Sequence, residues 1–386
     1  MPNEKKESVK ISIIQGAFLP VPPVLGGAVE KIWYKLGQEF AALGHEVVHI
    51  GRSHPDLPNK NKSHGVTYVR ITGYDTPSSI VRLKWRDLLY SVRAVKEIPE
   101  DTDIVITNTF WSPLLVSGPL RKKVCVSVER LPKGQMWLYK QAPLLRVNSG
   151  PVADAIRREL PVQQHRRMVI IPNPLPFQGL PPVHVDEKKH VLLYVGRLHP
   201  EKGLELLIKA FKTLNSGWKL RIVGPSDVST GGGGQPYLES LKQLAGDANV
   251  EFTGPVFDMN LLNEYYAEAS IFVYPSVAEK GETFGLAPLE AMAWGCVPVV
   301  SDLACFRDFI HHGANGLVFD HRSNDAVALL NKAIDGLQTD AERRHKLAEQ
   351  ALNVRQSHSV SYIASQFIDA FEGITGKRNV DKPIAL

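Results

Sequence analysis

Val191-Leu-Leu-Tyr-Val-Gly-Arg-Leu-His-Pro-Glu-Lys-Gly203 reads as a buried strand handing over to a helix. An unbroken apolar run suits a strand covered on both faces, as in a parallel sheet. Gly196 ends the run, and a helical pattern occupies Gly203–Leu214. The alternation continues downstream, with strands expected at Lys219–Val223, Val250–Thr253 and Ile271–Tyr274, and helices at Tyr237–Leu244 and Asn260–Ala269. Strands alternating with helices specify a parallel α/β sheet.

An equivalent series precedes this stretch. Val9–Ile14 reads as a strand, and a proline-bearing loop (Pro20, Pro22, Pro23) runs to Gly26-Gly27. Val29, Ile32, Trp33, Leu36, Phe40 and Leu43 then recur at helical spacing until Gly44. Val47–Ile50, Thr67–Ile71, Ile104–Thr107, Val124–Val128, Leu145–Asn148 and Met168–Ile171 are further strand candidates. Pro172, Pro174, Pro176, Pro181 and Pro182 crowd one segment, a linker signature. The expected organisation is two Rossmann-like domains, residues 1–175 and 176–358. A last helical pattern, Val360–Phe371, lies in a segment, 359–386, expected to return to the first domain.

Composition narrows the classes. The 386 residues are 44% hydrophobic and 22% charged, which excludes disordered, collagen-like and coiled-coil chains. Cys125, Cys296 and Cys305 are too few for a disulfide framework, and none forms a C-x-x-C pair. No apolar run reaches the roughly 18 residues of a membrane span. The polar start Met1–Ser8 lacks the apolar core of a signal peptide, so a cytoplasmic location is expected. Residues 1–175 carry 25 Lys and Arg against 15 Asp and Glu, while the rest carries 20 against 25. An anionic partner for the first half is one reading of this asymmetry, and plain drift is the other.

Some strings mimic known sites. His45-Glu46-Val47-Val48-His49 spells H-E-x-x-H, but its apolar spacing is that of a strand. There the two histidines stand about 13 Å apart, too far for one zinc ion. Asp101-Thr102-Asp103 spells D-x-D, yet it precedes a strand, whereas ligands of parallel sheets bind beyond strand C-termini. No metal site is expected. Gly231–Gly234 reads as a flexible loop, with a phosphate cradle the minority reading because no strand or helix abuts it directly. Neither G-x-G-x-x-G after the first strand nor G-x-x-x-x-G-K-[ST] occurs, which removes the usual support for dinucleotide oxidoreductases and P-loop nucleotidases.

Three features agree. Arg197 follows a strand and Lys202 comes five residues later, a fork and a point charge able to hold a pyrophosphate and stabilise it as a leaving group. The same pair also fits a solvated turn. Glu282 and Glu290 have seven residues between them and flank Phe284-Gly285-Leu286. Those three amides open a short helix, where an anion is favoured. One carboxylate can accept from sugar hydroxyls and the other from a ribose; an amphipathic helix with two solvated acids is the bland alternative. Gly26-Gly27 opens the first helix, where the backbone can approach a phosphate or simply turn.

At these residues the chain resembles the retaining glycosyltransferases of family 4 (glycosyl transferases group 1), which have the two-domain GT-B fold. The matching stretches include Gly26-Gly27, Gly44-His45-Glu46-Val47, Ile171-Pro172-Asn173, Val195-Gly196-Arg197, Lys202-Gly203, Phe252-Thr253-Gly254, Tyr274-Pro275-Ser276, Glu282 to Ala293, Pro298-Val299-Val300 and Asn315–Val318. The resemblance implies an α/β protein with two Rossmann-like domains facing across a cleft. It implies that Arg197 and Lys202 grip the diphosphate of a nucleotide sugar. Glu282 would hold the sugar hydroxyls with the amides of Phe284 and Gly285, Leu286 would reach a phosphate, Glu290 would bind the ribose, and the backbone near Val256 the base. Gly26 and Gly27 would meet the diphosphate from the first domain. Many members carry an acceptor-side histidine in the first domain. Here the corresponding strand ends are Thr107-Asn108-Thr109 and Ser127-Val128-Glu129-Arg130, so Asn108, Glu129 and Arg130 become the acceptor-side candidates, each also readable as a structural strand end.

The implied activity is retaining transfer of a hexose from a nucleoside diphosphate sugar, UDP-glucose or a related UDP-sugar being the family's commonest donor. The acceptor would be a saccharide or lipid-linked, and neither cofactor, essential metal nor nucleic acid is implied. A nucleotide-sugar epimerase and a non-catalytic nucleotide-sugar binding protein are the alternatives. Finally, Val81, Trp85, Leu88, Leu89, Val92 and Val95 fall on one helical face of Ser79–Ile98, with Arg82, Lys84, Arg86, Arg93 and Lys96 beside or opposite it. A basic amphipathic helix with Trp suits an anionic membrane interface, at the inner face of the cytoplasmic membrane, whereas an ordinary Rossmann helix would pack that face on the sheet.

Overall fold

Strands buried on both faces need helices above and below, and both sheets of this protein are covered in that way. The computed structural model describes residues 8–77, 79–177, 179–214 and 217–376. The chain divides into two compact units, residues 1–177 with 358–386, and residues 178–357. The polar start Met1–Glu7 lies outside the described residues.

Unit 1 begins with β1 (Lys10–Ile14), α1 (Ala28–Ala42), β2 (Glu46–Arg52), β3 (Lys60–Ser63), β4 (Val66–Ile71) and α2 (Ile80–Ala94). It continues through β5 (Ile104–Thr107), α3 (Ser112–Leu115), β6 (Val124–Val128), β7 (Leu144–Val147), α4 (Gly150–Glu159) and β8 (Met168–Ile170). The sheet order is β3-β4-β2-β1-β5-β6-β7-β8. Every pair is parallel except the β3–β4 edge. In H-E-x-x-H, Glu46–His49 run along β2 with His45 just before it, and His49 is buried against Tyr68. Of the D-x-D string, Asp101 pairs with Lys10, and Asp103 accepts the Lys10 backbone N–H at 3.0 Å.

Unit 2 contains β9 (Lys189–Val195), α5 (Leu204–Lys212), β10 (Lys219–Val223), α6 (Gln235–Ala245), β11 (Val250–Gly254), α7 (Met259–Glu268), β12 (Ala269–Tyr274), α8 (Leu286–Ala293), β13 (Val297–Ser301), β14 (Leu317–Phe319), α9 (Ala326–Thr339), α10 (Ala341–Ala351) and α11 (Val354–Ser357). Its parallel sheet runs β11-β10-β9-β12-β13-β14. The order reverses beside β9, between β10 and β12, and such a switch point leaves a crevice beyond the strand C-termini. In unit 1 the reversal falls at β1, between β2 and β5.

The chain then supplies α12 (Val360–Thr375) to unit 1. Ser359 caps its start, accepting the Tyr362 N–H at 3.1 Å, and Gly376 ends it with a left-handed residue. Phe367 sits fully buried against Trp33 and Phe40 of α1, in edge-on contacts with ring centroids 5.3 and 6.0 Å apart. The guanidinium of Arg146, from β7, lies over the same ring.

Helix α2 does not pack its apolar face on the sheet, as an ordinary Rossmann helix would. Asp87, Tyr90, Ser91 and Ala94 form the buried face, while Val81, Trp85, Leu89 and Val92 point outward, with Trp85 60% exposed. The reason is a backbone need. The Asp87 carboxylate accepts the N–H groups of Phe110 and Trp111 at 3.1 and 3.4 Å, ahead of α3. Buried amides require such partners. Leu88 and Val95 lie between the two faces, half-buried. Among the described residues no helix is long and apolar enough to cross a membrane.

Phe367→Ala removes the ring that α12 places under α1. We expect a loss of about 3–5 kcal/mol in unit 1 stability, read by denaturant unfolding.

Candidate functional site

The C-termini of β9 and β12 lie side by side in unit 2, and the polar side chains collect beyond them. Past β9 the chain turns through Gly196-Arg197 to a short helical turn, Pro200–Lys202. His199 stabilises the turn by accepting the Glu201 N–H at 3.3 Å. Gly203 follows with φ +69, and a Cβ there would lie 2.0 Å from the carbonyl oxygen of Pro275, the residue after β12. Only glycine allows this approach, which brings Lys202 to the end of β12.

Lys202 Nζ donates to Glu282 Oε2 at 2.6 Å, with the two side chains only 7% and 12% exposed. The Tyr274 hydroxyl and Ser276 Oγ each donate to the same oxygen at 3.3 Å. Burial pushes the Tyr274 hydroxyl well above its ordinary pKa, so it stays a donor. Glu282 Oε1 accepts nothing from the described residues. Glu282 stands in the loop before α8, and Gly285 is the N-cap of that helix. Leu286, at its first position, and Phe284 complete the predicted anion-facing turn.

Arg197 is half-exposed. Its Nη2 donates to Glu201 Oε1 at 2.8 Å and its Nη1 to the Gly231 carbonyl. Glu290 is buried inside α8, where its Oε2 accepts the Tyr266 hydroxyl at 2.9 Å and its Oε1 accepts nothing from the described residues. Val256 lies half-buried in the loop after β11. Thus Lys202 and Glu282 meet directly, while Arg197 and Glu290 reach their own neighbours. Tyr274, Ser276, Tyr266 and Glu201 escaped the sequence reading as side-chain partners. Their signal was position alone, since Tyr274-Pro275-Ser276 directly ends a strand at the switch point.

In unit 1, Gly27 is the N-cap of α1, with Gly26 before it, both at positive φ. Glu30, in the first turn, folds its carboxylate back onto Gly27. Burial pushes the Glu30 pKa up to about 7, against the opposing pull of the Gln15 amide and Arg130, while Glu129 nearby adds to the rise. Asn108, past the end of β5, donates to Gln15 Oε1 at 3.3 Å, and its own Oδ1 is buried without a partner. Glu129 pairs with the fully buried Arg146 and accepts from Ser127 Oγ at 2.8 Å, a structural commitment. Arg130 is exposed. These groups lie at the C-terminal ends of β1, β5 and β6, close to where the sheet order of unit 1 reverses.

Residues 181–354 match the family model of glycosyl transferases group 1. The lipopolysaccharide 1,2-N-acetylglucosaminetransferase of Salmonella typhimurium is 31% identical over 195 residues, 48% of this chain and 49% of that protein. The chain spans about half the length of the curated relatives it matches. Among solved structures, sucrose-phosphate synthase from Thermosynechococcus elongatus aligns over 96% of this chain and 100% of its own, with TM-score 0.76 and 23% identity. Anabaena HepE, solved with UDP and glucose, aligns over 94% of this chain and 99% of its own, with TM-score 0.70 and 17% identity. The two parallel-sheet α/β domains are those of the GT-B fold.

Glu30 gives the site of unit 1 a measurable pH dependence. A carboxyl whose pKa is raised by folding favours the folded state fully below its unfolded value near 4.5, and that contribution is lost as pH rises through about 7. Glu30→Gln should therefore gain about 1–3 kcal/mol over the parent at pH 8 and nothing at pH 4, in unfolding measured at both pH values.

Proposed function

We propose that this chain, whose residues 181–354 belong to the glycosyl transferases group 1 family, is a retaining glycosyltransferase that moves a hexose from a nucleoside diphosphate sugar to a saccharide or lipid-linked acceptor. The observation that carries the proposal is the contact between Lys202 and Glu282 at the switch point of unit 2, inside the matched segment. It sets a cation for a diphosphate beside a carboxylate oxygen still able to accept from sugar hydroxyls.

In this reading Arg197 and Lys202 bind the diphosphate. Lys202 has three donors and gives one to Glu282, so two remain for phosphate oxygens. Glu282 Oε1 and the amides of Phe284 and Gly285 hold the sugar, with Leu286 at a phosphate. Glu290 Oε1 takes the ribose and the backbone near Val256 the base. Gly26-Gly27 are the phosphate-facing glycines of unit 1. Among the acceptor-side candidates, Asn108 and Arg130 keep free capacity, whereas Glu129 is held by Arg146.

The bond from the anomeric carbon to the β-phosphate oxygen breaks. The departing phosphate accepts the proton of the attacking hydroxyl, and the new bond forms on the same face. Arg197 and Lys202 stabilise the charge that develops on the leaving group, the part a divalent metal takes in other transferases. UDP-glucose or a related UDP-sugar is the favoured donor, consistent with the UDP and glucose bound by Anabaena HepE. A glycolipid acceptor is consistent with the lipopolysaccharide transferase among the relatives.

Unit 1 also has the surface for a lipid-linked acceptor. Outward-facing Val81, Trp85, Leu89 and Val92 form an apolar stripe flanked by the exposed cations Arg82, Lys84 and Lys96. Such a helix lies in an anionic bilayer interface, its cations each contributing about 1 kcal/mol.

Three measurements test these readings. A thermal-shift panel of UDP, GDP and ADP sugars should single out a UDP-sugar. Arg197→Ala should then weaken UDP binding at least about tenfold in calorimetry, the worth of one or two charge-assisted hydrogen bonds. Unchanged UDP affinity in that variant removes the diphosphate role of Arg197. In liposome flotation, the protein should rise with anionic but not neutral vesicles at about 0.05 M salt and progressively less toward 0.5 M, with Trp85→Ser weaker throughout. No flotation with either vesicle at low salt sinks the membrane contact.

A further inference from the structure

The glycine run Gly231–Gly234 behaves as neither a loose loop nor a phosphate cradle. It abuts α6 directly, because Gly234 is the N-cap of that helix. All four amides are already used. Gly231 donates to the Val228 carbonyl at 3.0 Å, Gly232 to Asp227 at 2.8 Å, Gly233 to Leu198 at 2.7 Å and Gly234 to Ser226 at 2.7 Å. A phosphate cradle needs amides that face outward. This loop instead presents an oxygen, the Gly231 carbonyl, to the guanidinium of Arg197.

Arg197 is held from several directions. Gly231 takes Nη1, Glu201 takes Nη2 at 2.8 Å, and the Tyr194 hydroxyl donates to the Arg197 carbonyl at 2.9 Å. Two of its five N–H donors are thereby engaged and three are left for a ligand. Position 231 stands at φ +81, and a Cβ there would lie 2.8 Å from Arg197 Nη1 and 3.4 Å from its Cδ. Any side chain at 231 therefore displaces the guanidinium it now holds.

We propose that Gly231 is a positioning residue, whose carbonyl, together with Glu201, sets the Arg197 fork in advance for the donor diphosphate. The proposal rests on the donor-site reading above. Holding a flexible arginine before the ligand arrives removes an ordering cost from binding, so the effect is read in nucleotide affinity. It also explains a glycine at 231 in a segment where flexibility itself serves nothing.

The test is a double-mutant cycle. Gly231→Ala and Gly231→Asn, the second tolerant of positive φ, are titrated calorimetrically with UDP, or with GDP or ADP if one of those gives the larger thermal shift. Each should weaken binding about five- to tenfold when Arg197 is present and less than about twofold in an Arg197→Ala background. Equal weakening in both backgrounds, or none in either, overturns the proposal. Should the variants not fold, nitrogen-15 NMR of the unaltered chain decides. Separate Nη signals of Arg197 without nucleotide are expected, and averaged signals overturn the clamp. An unaltered chain that binds none of the three nucleotides counts against the donor reading, and the NMR measurement then judges the clamp by itself.

Discussion

The donor half of this protein is organised around an ion pair taken almost out of water. Lys202 and Glu282 reach one another from two loops that leave neighbouring strands, and each would be costly to bury alone. Their attraction suffices only because further groups complete the carboxylate. Tyr274 and Ser276 direct their hydroxyls at the same oxygen that Lys202 meets, so the charge is spread over three donors. The backbone bends to allow this, with Gly203 closing against Pro275. Moving any one of these parts disturbs a cation and a carboxylate together.

Unit 1 has a polar centre of its own, serving the architecture. Arg146 is fully buried on β7 and binds Glu129, Asn173, the Ile171 carbonyl and the face of Phe367. One side chain thus ties a strand end, the segment leaving the sheet and α12 into one contact set. Arginine can do this because its planar group offers five donors and a stacking face at once. Glu129 is drawn into that framework, while Asn108 keeps a buried oxygen with no partner among the described residues.

Much of the fold was legible because parallel strands buried on both faces appear as apolar runs, and β9 and β12 both read that way. Lys202 and Glu282 were legible as chemistry-bearing residues, though their contact was not. Eighty residues separate them, and no local pattern reports a distance set by the sheet. The reading that packs the apolar stripe of α2 on the sheet fails for a different reason. Asp87 faces inward to accept the N–H groups of Phe110 and Trp111, and Ser91 to donate to Thr109 Oγ1. The glycine run misleads similarly, since composition reports freedom while the Gly231–Gly234 amides are fully bonded. The reading failed where backbone hydrogen bonding overrides side-chain character, and periodicity does not record that demand.

The placement of α12 bears on how the protein is made. Unit 2 is a continuous insertion, residues 178–357, whereas unit 1 draws on both sides of it. As the chain emerges from the ribosome, unit 2 can close its sheet as soon as its own residues are out. The strands of unit 1 are all made first, but the apolar face of α1 stays uncovered until Phe367 and Phe371 arrive. Domains generally fold as synthesis proceeds, N-terminal first. Here the helix that covers α1 of the N-terminal unit is the last element to arrive, so the interval between synthesis of Trp33 and of Phe367 is when a chaperone would find most to hold.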